Sequence, residues 1–449
     1  MTCSCRAHRA LFTPCDPPGA GPFDVTSLRS HFPLLRLRSQ APAPITYLDN
    51  AATSQKPDVV LDAEYDYNSH HNANVHRGAH TLAREATELF ERSRDIIAGF
   101  VGARRDEIVL TRNASEALNL VAYCVGNASG AAPEFGSLAL RPGDVVVTTE
   151  MEHHSNLMPW QELCRRTGAE LRWLPLTADG RLDLTRLPDI VDARTRILAF
   201  THQSNVYGTV NPVDVLVRRA REVGALTVLD ACQSVPHQPV NVAELGVDFL
   251  AFSGHKTCGP TGIGVLWGRR ELLEALPPFQ TGGEMNGVVT MARSTYARPP
   301  HRFEAGTPMI AQAIGLAAAC RYLDGVGMDR IAAHEHALTG HALRAMSTIP
   351  GLRFIGPADN HSRGPAISFA LDTTAPQAIG EYLDARGIAI RVGNLCAQPA
   401  CRQYDLNSTT RASFHLYTTV EEIDRFVDAL TELAVRSRPG RPTIKTAGL

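Results

Sequence analysis

The sequence predicts an α/β fold, with a mostly parallel central sheet and a smaller α+β domain, and two observations carry that expectation. Short apolar runs alternate with stretches long enough for crossover helices: Glu107-Ile-Val-Leu, Val145-Val-Val-Thr, Ile197-Leu-Ala-Phe, Leu226-Thr-Val-Leu and Phe249-Leu-Ala-Phe. Strands covered by helices on both faces read this way, because no wet side is left for polar residues. After Gly325 longer helical patterns with few strand-like runs replace the alternation.

Taken from the start, residues 1–22 are rich in Pro, Gly and Cys without apolar periodicity and read as a flexible extension. Asp24 is placed to cap a short helix running through Phe32, and a Pro-rich connector then leads to Ile45-Thr-Tyr-Leu-Asp-Asn-Ala-Ala, an extended segment ending in small and polar residues. The expected organisation is a segment 23–54 that packs with the smaller domain, a large α/β domain over 55–325 and the small C-terminal α+β domain over 326–449. No internal repeat interrupts it.

Composition excludes several classes of function. The 449 residues, 44% hydrophobic and 20% charged, suffice for a large core. Forty-four Lys and Arg against 46 Asp and Glu leave a net charge of −2, so there is no basic field to hold nucleic acid or an anionic membrane. No apolar run approaches the roughly 20 residues that span a bilayer, and the N-terminus lacks the apolar core of a secretory signal, so cytoplasmic residence is expected. Ten cysteines are too sparse for a disulfide scaffold and are expected mostly as small buried thiols. Cys3, Cys5 and Cys15 cluster near the start. A metal or sulfur-relay site is one reading of them, but a closed zinc site wants four ligands at defined spacing, so the plain tail is preferred and no metal is expected.

In parallel sheets ligands bind beyond the carboxyl ends of the strands, so the residues after each run bear on function. Phe249-Leu-Ala-Phe runs into Ser253-Gly-His-Lys-Thr-Cys-Gly-Pro-Thr-Gly-Ile-Gly, a single Lys256 in a glycine-rich turn. A desolvated lysine is the nucleophile that an aldehyde cofactor needs; the plainer reading is a solvated turn lysine. Asp230 ends Leu226-Thr-Val-Leu and suits a protonated pyridine nitrogen, although Asp230-x-x-Gln233 also resembles a capping box. His153 follows Val145-Val-Val-Thr and is a candidate to stack on an aromatic ring or to satisfy a local hydrogen bond. Asn113-Ala114-Ser115 opens a helical pattern whose amides and dipole suit a phosphate, with Ser115 alternatively a mere cap. Ser253, His255 and the Thr281-Gly-Gly turn offer further phosphate donors.

Seven segments together, Tyr47-Leu-Asp-Asn-Ala-Ala-Thr, Val75-His76-Arg-Gly, Met151-Glu-His-His-Ser-Asn, Ser204-Asn205-Val-Tyr-Gly, Phe252-Ser-Gly-His-Lys, Arg302-Phe-Glu-Ala-Gly-Thr-Pro and Arg391-Val-Gly-Asn-Leu-Cys396, resemble the motifs of class V aminotransferase-fold enzymes. The likeness is to the SufS-type group II cysteine desulfurases and selenocysteine lyases, and runs from about Phe23 to Val435. It implies the aspartate aminotransferase-like fold type I of pyridoxal-phosphate-dependent transferases. It also implies that Lys256 binds the cofactor covalently, Asp230 pairs with the pyridinium, Gln233 bonds the ring hydroxyl and His153 stacks on the ring. Ser115 would hold the phosphate with Ser253 and His255, Ala114 and Asn205 would also contact the cofactor, His153 would count among the catalytic residues, and Thr281 would reach across from the other subunit of a homodimer. Asn205, His76, Arg391 and Arg411 would bind the substrate, Arg411 through its carboxylate by two parallel bonds.

Cys396 is then the sulfur acceptor, forming a persulfide as L-cysteine becomes L-alanine; otherwise it is a structural thiol. Thiolates are the sulfur nucleophiles, and the charge of Arg391 or of bound substrate favours that form. The family commonly carries histidines before this cysteine, where this chain has Asn394 and Leu395, and Cys401 is a candidate second relay thiol. Three other readings stand: a selenocysteine lyase; another class V enzyme, whether carbon–sulfur lyase, epimerase or transaminase, that does not use the cysteine; and an inactive sulfur or metal relay scaffold. A protein that accepts the sulfur, as in iron–sulfur cluster assembly, is a further expected partner.

Overall fold

Period-two burial explains how the large sheet forms. In the computed structural model, which describes residues 23–39, 44–128 and 133–437, strand β1 (Thr46–Tyr47) is followed by seven strands of one sheet: β2 (Ile108–Thr111), β3 (Val145–Thr149), β4 (Glu170–Leu174), β5 (Thr195–Thr201), β6 (Leu226–Asp230), β7 (Phe249–Ser253) and β8 (Gly264–Gly268). Val145 and Val147 enter the apolar core on one face and Val146 that on the other. The same alternation holds for Leu110 against Val109. Both faces are dry, as the apolar runs require.

The sheet order is β2-β8-β7-β6-β5-β3-β4. Strands β3 to β7 pair in parallel, and β8 runs antiparallel between β7 and β2. Thr201 pairs with Asp230 and Asp230 with Ala251, so β5 and β6 end at one level and β7 runs two residues beyond, to Ser253, on the same edge. The sequence reading missed β4 and β8. β4 is a partly exposed edge, with Trp173 open to solvent, and lacks the apolar run of a covered strand.

An exposed hairpin, β9 (Asn286–Val289) and β10 (Ser294–Tyr296), leads to helix Ile310–Val326, which is buried on nearly all sides and packs on helices Thr81–Phe100 and Asp58–Asp66. A smaller sheet follows from β11 (Leu352–Ile355), β12 (Ala366–Leu371), β14 (Arg391–Gly393) and β15 (Thr409–Ser413), ordered β11-β12-β15-β14 and antiparallel throughout. Helices Met328–Met346 and Val420–Arg436 cover it through Leu338, Leu343, Phe426 and Leu430. Strand β1 pairs in parallel with β13 (Ile388–Ala389), and Asp49 bridges to Ser413, which ties the N-terminal segment to this smaller sheet. Asp24 caps a helix as expected, over Val25–Ser30, two residues shorter than the sequence suggested. Among the described residues no helix is long and apolar enough to cross a membrane. Cys3, Cys5 and Cys15 lie outside the described residues.

A buried ion pair ties the large sheet to the segment after the hairpin. Arg94, its side chain 1% exposed, meets both oxygens of Glu304 at 2.6 and 2.9 Å, and Glu304 also accepts the Leu110 N–H at 2.7 Å. Removing one partner of such a pair strands the other charge in the core. Glu304→Ala is expected to cost about 3 kcal/mol, the lower end for a broken buried pair because Glu91 still touches Arg94. The check is the urea midpoint, and an unchanged midpoint would refute it.

Candidate active site

The strand ends open into a cleft of about 330 Å³. Lys256, Asp230, His153, Ser115, Ala114, Ser253, His255, Gln233, Asn205, Arg391, Arg411 and Cys396 all line it. The chain brings them there by different routes. Asp230 is the last residue of β6 and Ser253 of β7, while Lys256 sits one tight turn further, partly buried in the cleft. Arg411 comes from β15 of the smaller sheet, so the cleft lies where the two sheets meet.

One end of the cleft is built for an anion. Helix Ala114–Asn127 points its N-terminus, the positive end of its dipole, into it. The cap is Asn113, whose side chain accepts the Glu116 N–H at 2.9 Å, and not Ser115. The Ser115 hydroxyl is thereby left to the cleft, 2.5 Å from that of Ser155. Ser253 Oγ accepts the Ala114 N–H at 2.9 Å. A Cβ on Gly264 would fall 2.4 Å from Asn113 Cα, so only glycine lets β8 pass this close to the helix start.

Asp230 Oδ1 accepts the Cys232 N–H at 3.0 Å, and residues 231–238 form turns and no helix. Gln233 donates to the Ala51 carbonyl at 2.8 Å, so the capping-box alternative for Asp230 and Gln233 is not realised. His153 accepts the Ser155 N–H on Nδ1 at 3.1 Å, and burial, with Lys256 adding to it, pushes its ring down to about 4. His153 is therefore neutral at pH 7. Burial lowers His255 to about 4 in the same way.

At the other end Asp49 joins two arginines. Its carboxylate lies 2.6 Å from Arg391 and 3.4 Å from Arg411. Arg411 is 2% exposed and donates to the Asn205 backbone carbonyl at 2.8 Å, while its Nε finds no partner. Burial pushes its guanidinium down to about 10, still fully charged at neutral pH. A buried cation that shares Asp49 with Arg391 and keeps an unused donor is suited to a further carboxylate.

Cys396 is exposed on a loop in which both Leu395 and Cys396 take left-handed backbone, with φ of 53° each. Such conformations cost non-glycine residues roughly 1–3 kcal/mol and persist only where neighbours enforce them. Here Asn205 Nδ2 donates to the Leu395 carbonyl at 2.8 Å, His154 N–H to the Cys396 carbonyl at 2.6 Å, and Cys396 N–H to Asn394 Oδ1 at 3.0 Å. Asn394, where the family commonly has histidine, thus pins the loop. Cys401 is buried and its thiol is pushed up to about 11, which makes it a poor relay nucleophile.

Two expected residues do not reach this cleft. His76 lies at the surface with its ring 2.9 Å from Glu91, so the substrate contact expected of it is not made within this chain. The reason is local: left-handed backbone at His76 (φ 69°) and the Glu91 carboxylate turn the ring towards helix Thr81–Phe100. Thr281 is exposed ahead of the hairpin and touches no part of its own cleft. Conversely, Asp49, His154, Ser155, Gln203 and Cys232 were not singled out from sequence, although Asp49, His154 and Ser155 fall inside quoted motifs.

The chain matches the family described as Aminotransferase class-V over residues 46–426. It is 54% identical over 411 residues to a probable cysteine desulfurase of Streptomyces coelicolor, covering 91% of this chain and 97% of that one. It is 43% identical over 422 residues to a cysteine desulfurase of Haloferax volcanii, covering 91% and 96%. Among solved structures it resembles the apo cysteine desulfurase of Thermococcus onnurineus NA1, with TM-score 0.85, 38% identity and coverage of 92% and 98%. It also resembles the Escherichia coli cysteine desulfurase CsdA in an S-sulfonic acid form, with TM-score 0.83, 34% identity and coverage of 93% and 99%.

Burial of neutral histidines makes stability depend on pH. His202, 7% exposed, is pushed from 6.5 down to about 4 by burial. The unfolded chain therefore takes up a proton that the folded chain refuses, and this contribution to stability is lost as pH falls from about 6.5 towards about 4. His202→Gln is expected to reduce the loss of stability between about pH 7 and about pH 5 by up to about 2 kcal/mol. Urea titrations of both proteins at the two pH values measure this, and parallel pH dependences would refute it.

Proposed function

The chain belongs to the class V aminotransferase family, and on that premise we propose that it is a pyridoxal 5'-phosphate-dependent cysteine desulfurase that takes sulfur from L-cysteine onto Cys396 and releases L-alanine. The observation that carries this is one cleft bringing together an amine, a carboxylate at a strand end, a buried arginine with a spare donor and an exposed thiol. Relatives at 54% and 43% identity carry the same activity in their names.

The residues fit the cofactor. The helix start at Ala114, against which Gly264 packs, suits its phosphate together with Ser115, Ser253 and His255. Asp230 is the acceptor for its ring nitrogen, Gln233 has an amide for its ring hydroxyl, and neutral His153 offers a flat face for stacking. When bound, pyridoxal phosphate supplies an aldehyde for covalent attachment and a ring that draws electrons from the substrate's α-carbon.

The chain's own groups do the rest. Arg411 binds the substrate carboxylate with its unused Nε–H, and its burial strengthens that bond by excluding water. Lys256 is the anchoring amine and carries protons to and from the α-carbon. Cys396 attacks the substrate sulfur as thiolate: an S–S bond forms, the substrate's C–S bond breaks with its electron pair left on carbon, and the former thiol proton ends on that carbon. The products are a Cys396 persulfide anion and alanine, so atoms and charge balance.

The finer reading is a cytoplasmic homodimer of the SufS type that hands its sulfur to an acceptor protein, as in iron–sulfur cluster assembly. What supports a second copy is the position of Thr281 outside its own cleft, beside a hairpin that exposes Val288, Val289 and Met291. Sedimentation at micromolar concentration tests it, and a monomer would overturn it.

With L-cysteine and a reductant, the wild type is expected to yield sulfide and alanine, and Lys256→Ala and Cys396→Ala little or neither. Undiminished sulfide from Cys396→Ala would sink the persulfide route, and the same assay with L-selenocysteine measures the sulfur preference. Arg411→Lys is expected to raise KM for L-cysteine about 10- to 100-fold, the worth of one charge-assisted hydrogen bond, with a smaller change in kcat. A wild-type KM would remove Arg411 from substrate binding.

A further inference from the structure

Behind the Lys256 turn, outside the cleft, lie three buried groups that the reaction does not use. His237, Glu335 and His415 are 5, 1 and 0% exposed. They come from separate parts of the chain: the turn after β6, helix Met328–Met346 and the residues just past β15. Glu335 Oε2 lies 2.9 Å from His237 Nδ1, and Oε1 lies 3.2 Å from His415 Nδ1. Burial lowers the His415 ring below its usual range, although the ring also bonds to the backbone of Lys256, and its Nε2 is 3.8 Å from Cys258 Sγ. A cavity of about 260 Å³ lined by His237, Glu335 and Gln203 adjoins this network, and Gln203 lines the cleft as well.

Counting donors settles where a proton belongs. The Leu416 N–H donates to His415 Nδ1 at 2.8 Å, so that nitrogen acts there as an acceptor and bears no hydrogen. An ionised Glu335 would then set a second bare acceptor, Oε1, 3.2 Å from it with no donor between, and Oε1 has no other hydrogen bond. Two buried lone pairs in that position repel. One hydrogen on Oε1 turns the repulsion into an O–H···N contact that shares the single Nδ1 lone pair with the Leu416 N–H. Burial points the same way, pushing the Glu335 carboxyl up to about 7 and the His237 ring down to about 3. The titratable groups around Glu335 are His237, His415, Cys258 and Tyr417, with His336 and the buried Arg363 lining the adjoining cavity, and no Lys or Arg ion pair with Glu335 occurs among the described residues.

We propose that Glu335 is a neutral carboxylic acid that donates from Oε1 to His415 Nδ1 and accepts from His237 at Oε2, and that this network positions the Lys256 turn from behind through the His415 ring. All three are positioning residues; none touches substrate or cofactor. The positioning role rests on Lys256 being the reactive amine, whereas the location of the proton does not.

Two measurements on the holoenzyme separate these parts. The infrared difference between wild type and Glu335→Gln at neutral pH is expected to show a protonated-carboxyl carbonyl band lost in the variant; its absence would overturn the proton assignment, whatever the protein's activity. Glutamine keeps one donor and one acceptor, so Glu335→Gln is expected to retain wild-type kcat and the wild-type pH midpoint of the lysine–cofactor absorbance. Glu335→Ala is expected to shift that midpoint and lower kcat about tenfold, roughly the worth of one buried hydrogen bond. If glutamine behaves like alanine, the charge of Glu335 matters and the proposal fails. Stoichiometric zinc in the purified protein that disappears in Glu335→Gln would also overturn it, because two imidazoles and a carboxylate would then be metal ligands.

Discussion

Parallel pairing in register is the constraint on which the site depends. Because β5, β6 and β7 run the same way and Thr201, Asp230 and Ala251 lie side by side, the turn after each strand is delivered to one edge. The carboxylate of Asp230, the hydroxyl of Ser253 and the amine of Lys256 are neighbours for that reason alone. β8 turns back antiparallel and uses Gly264 to pass the start of helix Ala114–Asn127, which completes the same edge with an anion site. The smaller sheet then closes the cleft from the opposite side by contributing Arg411, and with the adjoining loop Cys396.

The legibility of each part in the sequence depends on how local its signal is. Strands covered on both faces tend to announce themselves by composition, so β2, β3, β5, β6 and β7 stood out; the exposed edge strand β4 did not, nor did the covered β8, whose three apolar residues lie between Gly264 and Gly268. Groups in the turn directly after such a strand, Asp230 and Lys256 foremost, were accessible to the same logic. The partners of Arg411 were not, since Asp49 lies 362 residues away in sequence and meets it only through the pairing of the N-terminal segment with the smaller sheet. Local ambiguities needed coordinates: which of Asn113 and Ser115 caps the helix turns on one hydrogen bond. The likeness in motifs marked His76 as a substrate contact, but it carried no information about the Glu91 carboxylate that holds its ring at the surface.

The cleft is assembled at a cost that the surrounding packing has to offset. Arg411 has an unpaired Nε, Glu152 is fully enclosed with its carboxyl pushed up to about 8 by burial, and His153 is held neutral. Glu152 is surrounded by donors from Thr149, Asn156 and the Thr201 backbone, which fix the base of the loop that presents His153. Rigid support of this kind lets a reactive group keep a geometry that it would not adopt alone.

Asn205 serves two masters: its backbone carbonyl is a bond partner of Arg411, and its side chain secures Leu395 beside the thiol. A carboxylate arriving at Arg411 joins a guanidinium that already bonds that carbonyl, so any adjustment of Asn205 is passed on to the segment that carries Cys396. Occupancy at one end of the cavity and slack at the other are then thermodynamically linked, and the linkage runs both ways. A group carried on Cys396 would in this manner alter how tightly a carboxylate is held at Arg411.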